Sequence, residues 1–391
     1  LQLFIHHQHA PMDRRRLLAG LAALAVSQVA CRSNTANALQ IMTLKGVLPS
    51  QLLNNFKSGL AESEQLRLTT RRDWADLFQQ LQAWHPSANA DATEATASLS
   101  ADWVCLSDYW LLAAIQQQLI APLQDIEQLP GWSTLSAAWP TLLRRNDQGL
   151  LAEAGSLWAA PYRWRYLTIV YSRRQFERLG WQPSTWQDLL NPDIQGRLAL
   201  PNHPRLVLGM MLKAGGHSVN DPDPTAYPDV VRSLATLTPQ VKVYSSDYYL
   251  QALIKGDIWL AVGWSTEIQP LLSQYRQLSM VAPDPGTLLS ADVWVKPNRQ
   301  AEAASAIALT ELEQKWLAYW WQPAVITPLN LFSQGVSPRL LTTQATTGVE
   351  GAAEARRPTV QQLEQSEFIT PLAEPAIARY DELWRRLRRG E

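Results

Sequence analysis

A few histidines, paired carboxylates and two dense polar and aromatic runs are the residues with which this 391-residue chain could do chemistry. Past His6, His7 and His9 near the start, the histidines are His85, His203 and His217, and a Ser-His-Asp relay would have to use one of them. His85 precedes a Pro/Ser loop and His217 follows a Gly-Gly helix stop, so both read as solvated loop residues. His203 lies at a strand-to-helix turn, where it is either a helix-start residue or a ligand donor. The spacing of His6, His7 and His9 could hold a metal, but they stand alone in an upstream segment and no metal is expected. Asp221 and Asp223 alternate with proline and read as an exposed turn, as does Asp284-Pro285-Gly286. No Gly-x-Ser-x-Gly, His-Glu-x-x-His, phosphate-cradling glycine loop or cysteine pair with metal spacing occurs. Catalysis and cofactors are therefore not expected, and an enzyme would need a nucleophile and a base that the sequence does not offer.

The elements around these residues point to binding instead. Leu39 to Leu44 reads as a strand, Pro49 to Leu60 and Trp74 to Trp84 as amphipathic helices, and Ser87 to Ser100 as an Ala/Ser/Thr connector. Ala101 to Leu106 is a buried strand that ends in Ser107-Asp108-Tyr109-Trp110 and runs into a helix over Leu111 to Leu119. A polar tip at the carboxyl end of a strand, beside a helix start, is where open α/β sheets bind ligands. The pattern repeats with a strand at Arg197 to Leu200, the turn Asn202-His203-Pro204 and a helix from Leu206 to Ala214. Further strands fall at Ile258 to Gly263, which leads into Trp264-Ser265, at Met280 to Ala282 and at Val293 to Val295. Ala301 to Trp321 is mostly helical in spacing, Leu341 to Pro358 is a low-complexity loop, and Ala376 to Arg389 is an amphipathic helix whose C-terminal arginines Arg385, Arg386, Arg388 and Arg389 read as a solvated face. Two α/β lobes with a cleft between them follow, joined by a crossing at Ala159 to Thr168 whose run Pro161-Tyr162-Arg163-Trp164-Arg165-Tyr166 is too cationic for a plain buried strand.

Charge and composition narrow the partners. Lys and Arg total 34 against 35 Asp and Glu, so nothing draws the chain to nucleic acid. A monomer is the expected state. The 17 Trp outnumber Tyr at 11 and Phe at 6; most must be core, although a flat ring with one N–H also suits a cleft that orients a polar guest. Arg14-Arg15-Arg16-Leu17-Leu18, the apolar stretch Ala19 to Ala30 and Ala36-Asn37-Ala38 read as an export signal cleaved after Ala38, with the twin-arginine route favoured over the general one. Leu1 to Pro11 precede Met12 and fit an overextended reading frame. Cys31 follows Val29-Ala30 as in lipoprotein acylation sites, but Gln28 departs from that motif; Cys105 reads as a buried strand residue, so no disulfide framework exists.

The chain resembles the spermidine/putrescine-type periplasmic solute-binding proteins of bacterial ABC importers. The resemblance runs from about Leu39 to Arg389 and is carried by Ser107-Asp108-Tyr109-Trp110, Ala160-Pro161-Tyr162-Arg163-Trp164, Thr185-Trp186-Gln187-Asp188-Leu189 with Asn191-Pro192 and Gly196, Tyr249 to Trp264, and Pro285-Gly286-Thr287 leading to Asp292. It implies a two-lobed type II periplasmic binding protein fold that closes on ligand by a hinge, and a membrane permease as partner. Residues 39–160 with about 288–327 would form one lobe, 161–287 the other, and 328–391 a C-terminal helical segment packed on both. Residue by residue, it implies that Ser107 and Tyr109 line the ligand, that Trp264 packs on its methylenes and that Asp292 grips an amine. Trp164, Arg165 and His203 lie near the same cleft. Leu44 and Val47 stand where polyamine binders have aromatics, His203 and Leu206 where they have an acidic pair, Ser290 where they have Trp, and Arg165 where they often have Gly. Each ammonium buried in a closing cleft costs several kcal/mol unless a carboxylate pairs with it. Asp292 is the one matched acid, and an inward Arg165 would repel a polyamine and favour a carboxylate or phosphate. With Arg165 outward, Asp108, Asp247 or Glu267 would supply the missing charge. The expected ligand is thus a polyamine-like solute or, alternatively, a different and anionic one; a third reading is an accessory envelope protein whose cleft is filled by side chains.

Overall fold

The computed structural model describes residues 38–85, 101–299, 305–341 and 357–389. The export signal, Cys31, His6, His7 and His9, the connector 87–100 and most of the loop 341–358 lie outside the described residues. In chain order the described strands are β1 (Ala38–Leu44), β2 (Gln65–Arg71), β3 (Trp103–Ser107), β4 (Ile120–Ala121), β5 (Arg144–Arg145), β6 (Ser156–Leu157), β7 (Ala160–Ser172), β8 (Leu198–Leu200), β9 (Val241–Tyr244), β10 (Leu260–Trp264), β11 (Leu278–Val281), β12 (Leu288–Pro297) and β13 (Glu367–Phe368).

Two long strands organise the rest. The main path runs β2-β1-β3-β12-β7-β10-β8-β9, with β11 also on β7 and both β4 and β13 on β12; β5 and β6 pair separately. Strand β7 pairs antiparallel with β12 over Ala160 to Tyr166, and with β10 and β11 over Leu167 to Ser172. Parallel pairs lie outward on each side, β3-β1-β2 on one and β10-β8-β9 on the other. The aromatic and cationic run therefore lies in a central, largely buried strand of 13 residues, against the expectation that it is too cationic for one. It is tolerated at the centre because its two arginines fall on alternate positions, share one face and find a carboxylate there.

Two apolar cores flank this axis. The first gathers Trp103, Trp139, Trp294, Trp316, Trp320 and Trp321 with β1, β3 and β12; the second gathers Trp186, Leu198, Met210, Leu234 and the C-terminal helix Glu374–Arg389. Seven of the twelve largest fully buried side chains are Trp, so the abundance of that residue is mainly core volume. The arginines of the last helix turn are exposed, and Arg388 lies over the Tyr244 ring at 4.4 Å. Strand β2 was not expected because it is an edge strand with mostly exposed side chains and no buried alternation to read. The helix expected over Ala301 to Trp321 instead begins at Glu311, where Thr310 and Glu313 form a capping box, a signal legible in the sequence. His85 is buried at the end of the helix Trp74–Trp84, against the solvated reading, and His217 stacks on Tyr227 at 3.7 Å. Asp221 and Asp223 do form turns: each accepts a backbone N–H two residues on. None of the described helices is long and apolar enough to cross a membrane.

Candidate functional site

The register across three strands assembles the site. Asp292 of β12 stands opposite Ser107 of β3 and Arg163 of β7, and Ser290 stands opposite Arg165. Since side chains alternate along a strand, Ser107, Ser290, Asp292, Arg163 and Arg165 share one face, with Trp294 two residues further along β12. Asp292 is buried at 1% exposure and takes both arginines: Arg163 Nε donates to Oδ2 at 2.7 Å and Arg165 Nη1 to Oδ1 at 3.2 Å. Arg163 also donates from Nη1 to the Ser333 carbonyl, past Gly335. A Cβ at Gly335 would lie 2.5 Å from Arg163 Cδ, so Gly335→Ala is expected to lower stability by about 1–3 kcal/mol, read as a fall in the thermal midpoint.

Arg165 is held through both of its Nη atoms, while its buried Nε has no hydrogen-bond partner. Its Nη2 donates to Ser107 Oγ at 3.0 Å and Ser290 Oγ at 3.2 Å, and its guanidinium carbon lies 5.1 Å from the centre of the Trp264 ring and 5.9 Å from that of Trp74. Trp264 ends β10 and Trp74 opens a helix after β2, so the two rings reach Arg165 from opposite sides of the β7 and β12 axis. Each such contact contributes about 0.5–2 kcal/mol. Arg165 therefore points inward, and the alternative in which it faces away is corrected by its partners.

Below this layer Ser290 Oγ donates to Asp108 Oδ1 at 2.8 Å, while Asp108 Oδ2 has no hydrogen-bond partner. Burial pushes the Asp108 carboxyl up to about 6, against the lowering influence of Ser290, Arg165 and Arg145. An acid raised in the folded state holds its proton there while the unfolded chain has released it, so stability falls as pH rises from about 4 to about 6. Asp108→Asn removes that slope. The variant is expected to gain on the wild type by up to about 3 kcal/mol between about pH 4 and pH 7 in urea titrations, and a flat difference would contradict the assignment.

The structure does not bring all the expected residues together. Ser107, Arg165, Trp264 and Asp292 meet. Trp164 does not: alternation puts it on the opposite face of β7, where its indole N–H donates to the Ser337 carbonyl at 3.1 Å. Tyr109 and His203 form a separate pair with ring centres 5.3 Å apart. His203 is the residue before the helix Pro204–Ala214 and makes no capping bond through its side chain. Burial, with Arg205 nearby, pushes its imidazole down to about 4, so it is neutral at neutral pH. Tyr109 is exposed on its other side. Asp247 and Glu267 do not replace Asp292; Glu267 accepts from the Tyr249 hydroxyl at 2.6 Å. Trp74 and Arg163 were missed as members of the site. The alternation of Arg163 with Arg165 is a signal that could have found the second, whereas Trp74 is indistinguishable from a core position of its helix. No cluster of His, Cys, Asp and Glu able to hold a metal occurs among the described residues.

A putrescine/cadaverine-binding protein of Pseudomonas aeruginosa is 28% identical over 120 residues, 30% of this chain and 34% of that one. A spermidine/putrescine-binding periplasmic protein of Haemophilus influenzae is 24% identical over 196 residues, 50% of this chain and 51% of that one. The chain thus spans from a third to about half of the length of these relatives. The substrate-binding protein PotD of a Streptococcus pneumoniae spermidine/putrescine ABC transporter superposes with a TM-score of 0.71 at 19% identity, covering 91% of this chain and 99% of that one. A solute-binding protein of Thermotoga lettingae bound to tagatose superposes at 0.62 with 14% identity, covering 91% and 95%. At these identities the likeness is one of fold, the periplasmic binding protein kind that the resemblance implied. The profile of bacterial extracellular solute-binding proteins matches residues 68–324, from the middle of β2 through every strand of the site and past Trp321 of the first core, and by that match the chain belongs to this family of binding proteins rather than of enzymes.

Proposed function

We propose that the protein captures an aliphatic amine of the polyamine class outside the cytoplasm and, as a monomer, hands it to the membrane permease of an ABC importer. The observation that carries the reading is the surrounding of Arg165: a cation between two indole rings, hydrogen-bonded to a carboxylate and two hydroxyls. That is the chemistry by which an alkylammonium with apolar methylenes is held. The names of the relatives, which refer to putrescine, cadaverine and spermidine, support the same class. Closure would turn on β7 and β12, since β7 changes partners from β12 to β10 and β11 between Tyr166 and Leu167. One lobe would then comprise residues 39–160 with 288–327, extended along β7 to Tyr166, and the other the chain up to residue 287, with the C-terminal helix packed on the second core.

The test is a thermal-shift screen of the chain from Leu39 onward against monoamines, diamines, spermidine and organic acids. An amine is expected to raise the midpoint while acids leave it unchanged. If an organic acid alone stabilises, the inward guanidinium is receiving an anion and the amine reading falls; if nothing stabilises, the cleft is a degenerate one.

A further inference from the structure

The geometry points to Arg165 as a tethered competitor for amine solutes, a specificity-determining side chain that occupies the cation seat formed by Trp74, Trp264, Asp292, Ser107 and Ser290. This inference rests on the reading of that group as an amine seat.

Each wall of the seat is used by the guanidinium. The carboxylate oxygen Asp292 Oδ1 receives Nη1, the two hydroxyls receive Nη2, and the Trp264 and Trp74 rings lie 5.1 and 5.9 Å from the guanidinium carbon. The side chain of Arg165 is 12% exposed, so little of it is left for a solute to touch. Both oxygens of Asp292 are already engaged, Oδ1 by Arg165 and Oδ2 by Arg163. An ammonium entering the seat must therefore displace Arg165, and a solute lying alongside it meets a like charge. The binding-competent form is then the fraction of molecules in which Arg165 has swung out, and the apparent affinity is reduced by that fraction.

Removing the competitor opens the seat without orphaning the acid, since Asp292 keeps Arg163. Arg165→Met, which keeps an apolar stem of similar length, is expected to bind putrescine at least about tenfold more tightly than the wild type in titration calorimetry. In Arg165→Ala the seat is vacated in the shape of a guanidinium. Millimolar methylguanidinium chloride is expected to raise the thermal midpoint of that variant by a few degrees over equimolar sodium chloride, with no such rise in the wild type. Circular dichroism checks that both variants are folded; should one fail to fold, the other decides. Putrescine binding that is unchanged or weaker in folded Arg165→Met overturns the inference while leaving the amine reading intact. Putrescine binding that appears only in the variant supports the inference and refutes amine capture by the wild type. If neither protein binds any amine, the amine reading and the inference fall together, and a methylguanidinium rise specific to Arg165→Ala then shows only that the seat fits a guanidinium.

Discussion

Asp292→Ala is expected to destabilise the folded protein by about 3–5 kcal/mol, the cost of breaking a buried ion pair from one side. The figure follows from what remains. Arg163 is buried and would keep the Ser333 carbonyl as its remaining acceptor, and Arg165 would keep the hydroxyls of Ser107 and Ser290 and its two ring contacts, with no anion left for either. Two guanidinium groups would then face each other across the position of the missing carboxylate. Urea unfolding should show the midpoint falling with the slope unchanged, which marks a loss of stability and not a change of denatured state. Asp292→Asn should lose less, because an amide oxygen still accepts one of the two bonds although the charge is gone. A loss below about 1 kcal/mol for the alanine variant would put the triad in the class of exposed surface bridges and remove the argument that it is the anchor of the site. The same variant should not regain stability on addition of putrescine, since the seat has lost its acid.

The α/β strands were legible because they are buried and bounded: Ala101 to Leu106, Arg197 to Leu200 and Ile258 to Gly263 each shifted by two residues or fewer at either end. Positions on those strand ends were legible too, as Ser107 and Trp264 do converge. What could not be read was pairing. Asp292 and Arg163 are 129 residues apart, and which of Arg163, Trp164 and Arg165 faces Asp292 depends on a register that only the folded sheet fixes. Once the run is known to be a strand, alternation alone separates Trp164 from the arginines. Ser290 illustrates a different limit. It looked like the loss of an aromatic wall, yet its hydroxyl joins Arg165 to Asp108, so the departure from the polyamine-binder pattern and the inward arginine are two halves of one arrangement.

Trp294→Ala should cost about 3–5 kcal/mol and test whether the aromatic layer holds the triad in place. Trp294 shares the face of Asp292 on β12, one step further along, and is fully buried among Tyr162 at 5.1 Å, Trp316 at 5.2 Å and Trp320 at 6.2 Å between ring centres. The β7 register slips opposite this point, between Asp292 and Val293, so the ring of Tyr162 packs on Trp294 where a regular ladder would turn it away. Truncation leaves a void against the strand that carries both arginines, and Tyr162, whose hydroxyl is tied to the Val47 carbonyl at 2.9 Å, cannot follow the collapse freely. Trp294→Phe should cost distinctly less than the alanine variant. It retains an aromatic ring, and the indole N–H it removes has no acceptor in the folded protein, so no hydrogen bond is lost. If the layer positions the site, amine affinity should drop in Trp294→Ala by more than in Trp139→Ala, whose ring is equally buried but packs on Phe368 and bonds the Pro338 carbonyl away from the triad. Equal losses in the two variants would reduce the layer to core volume alone.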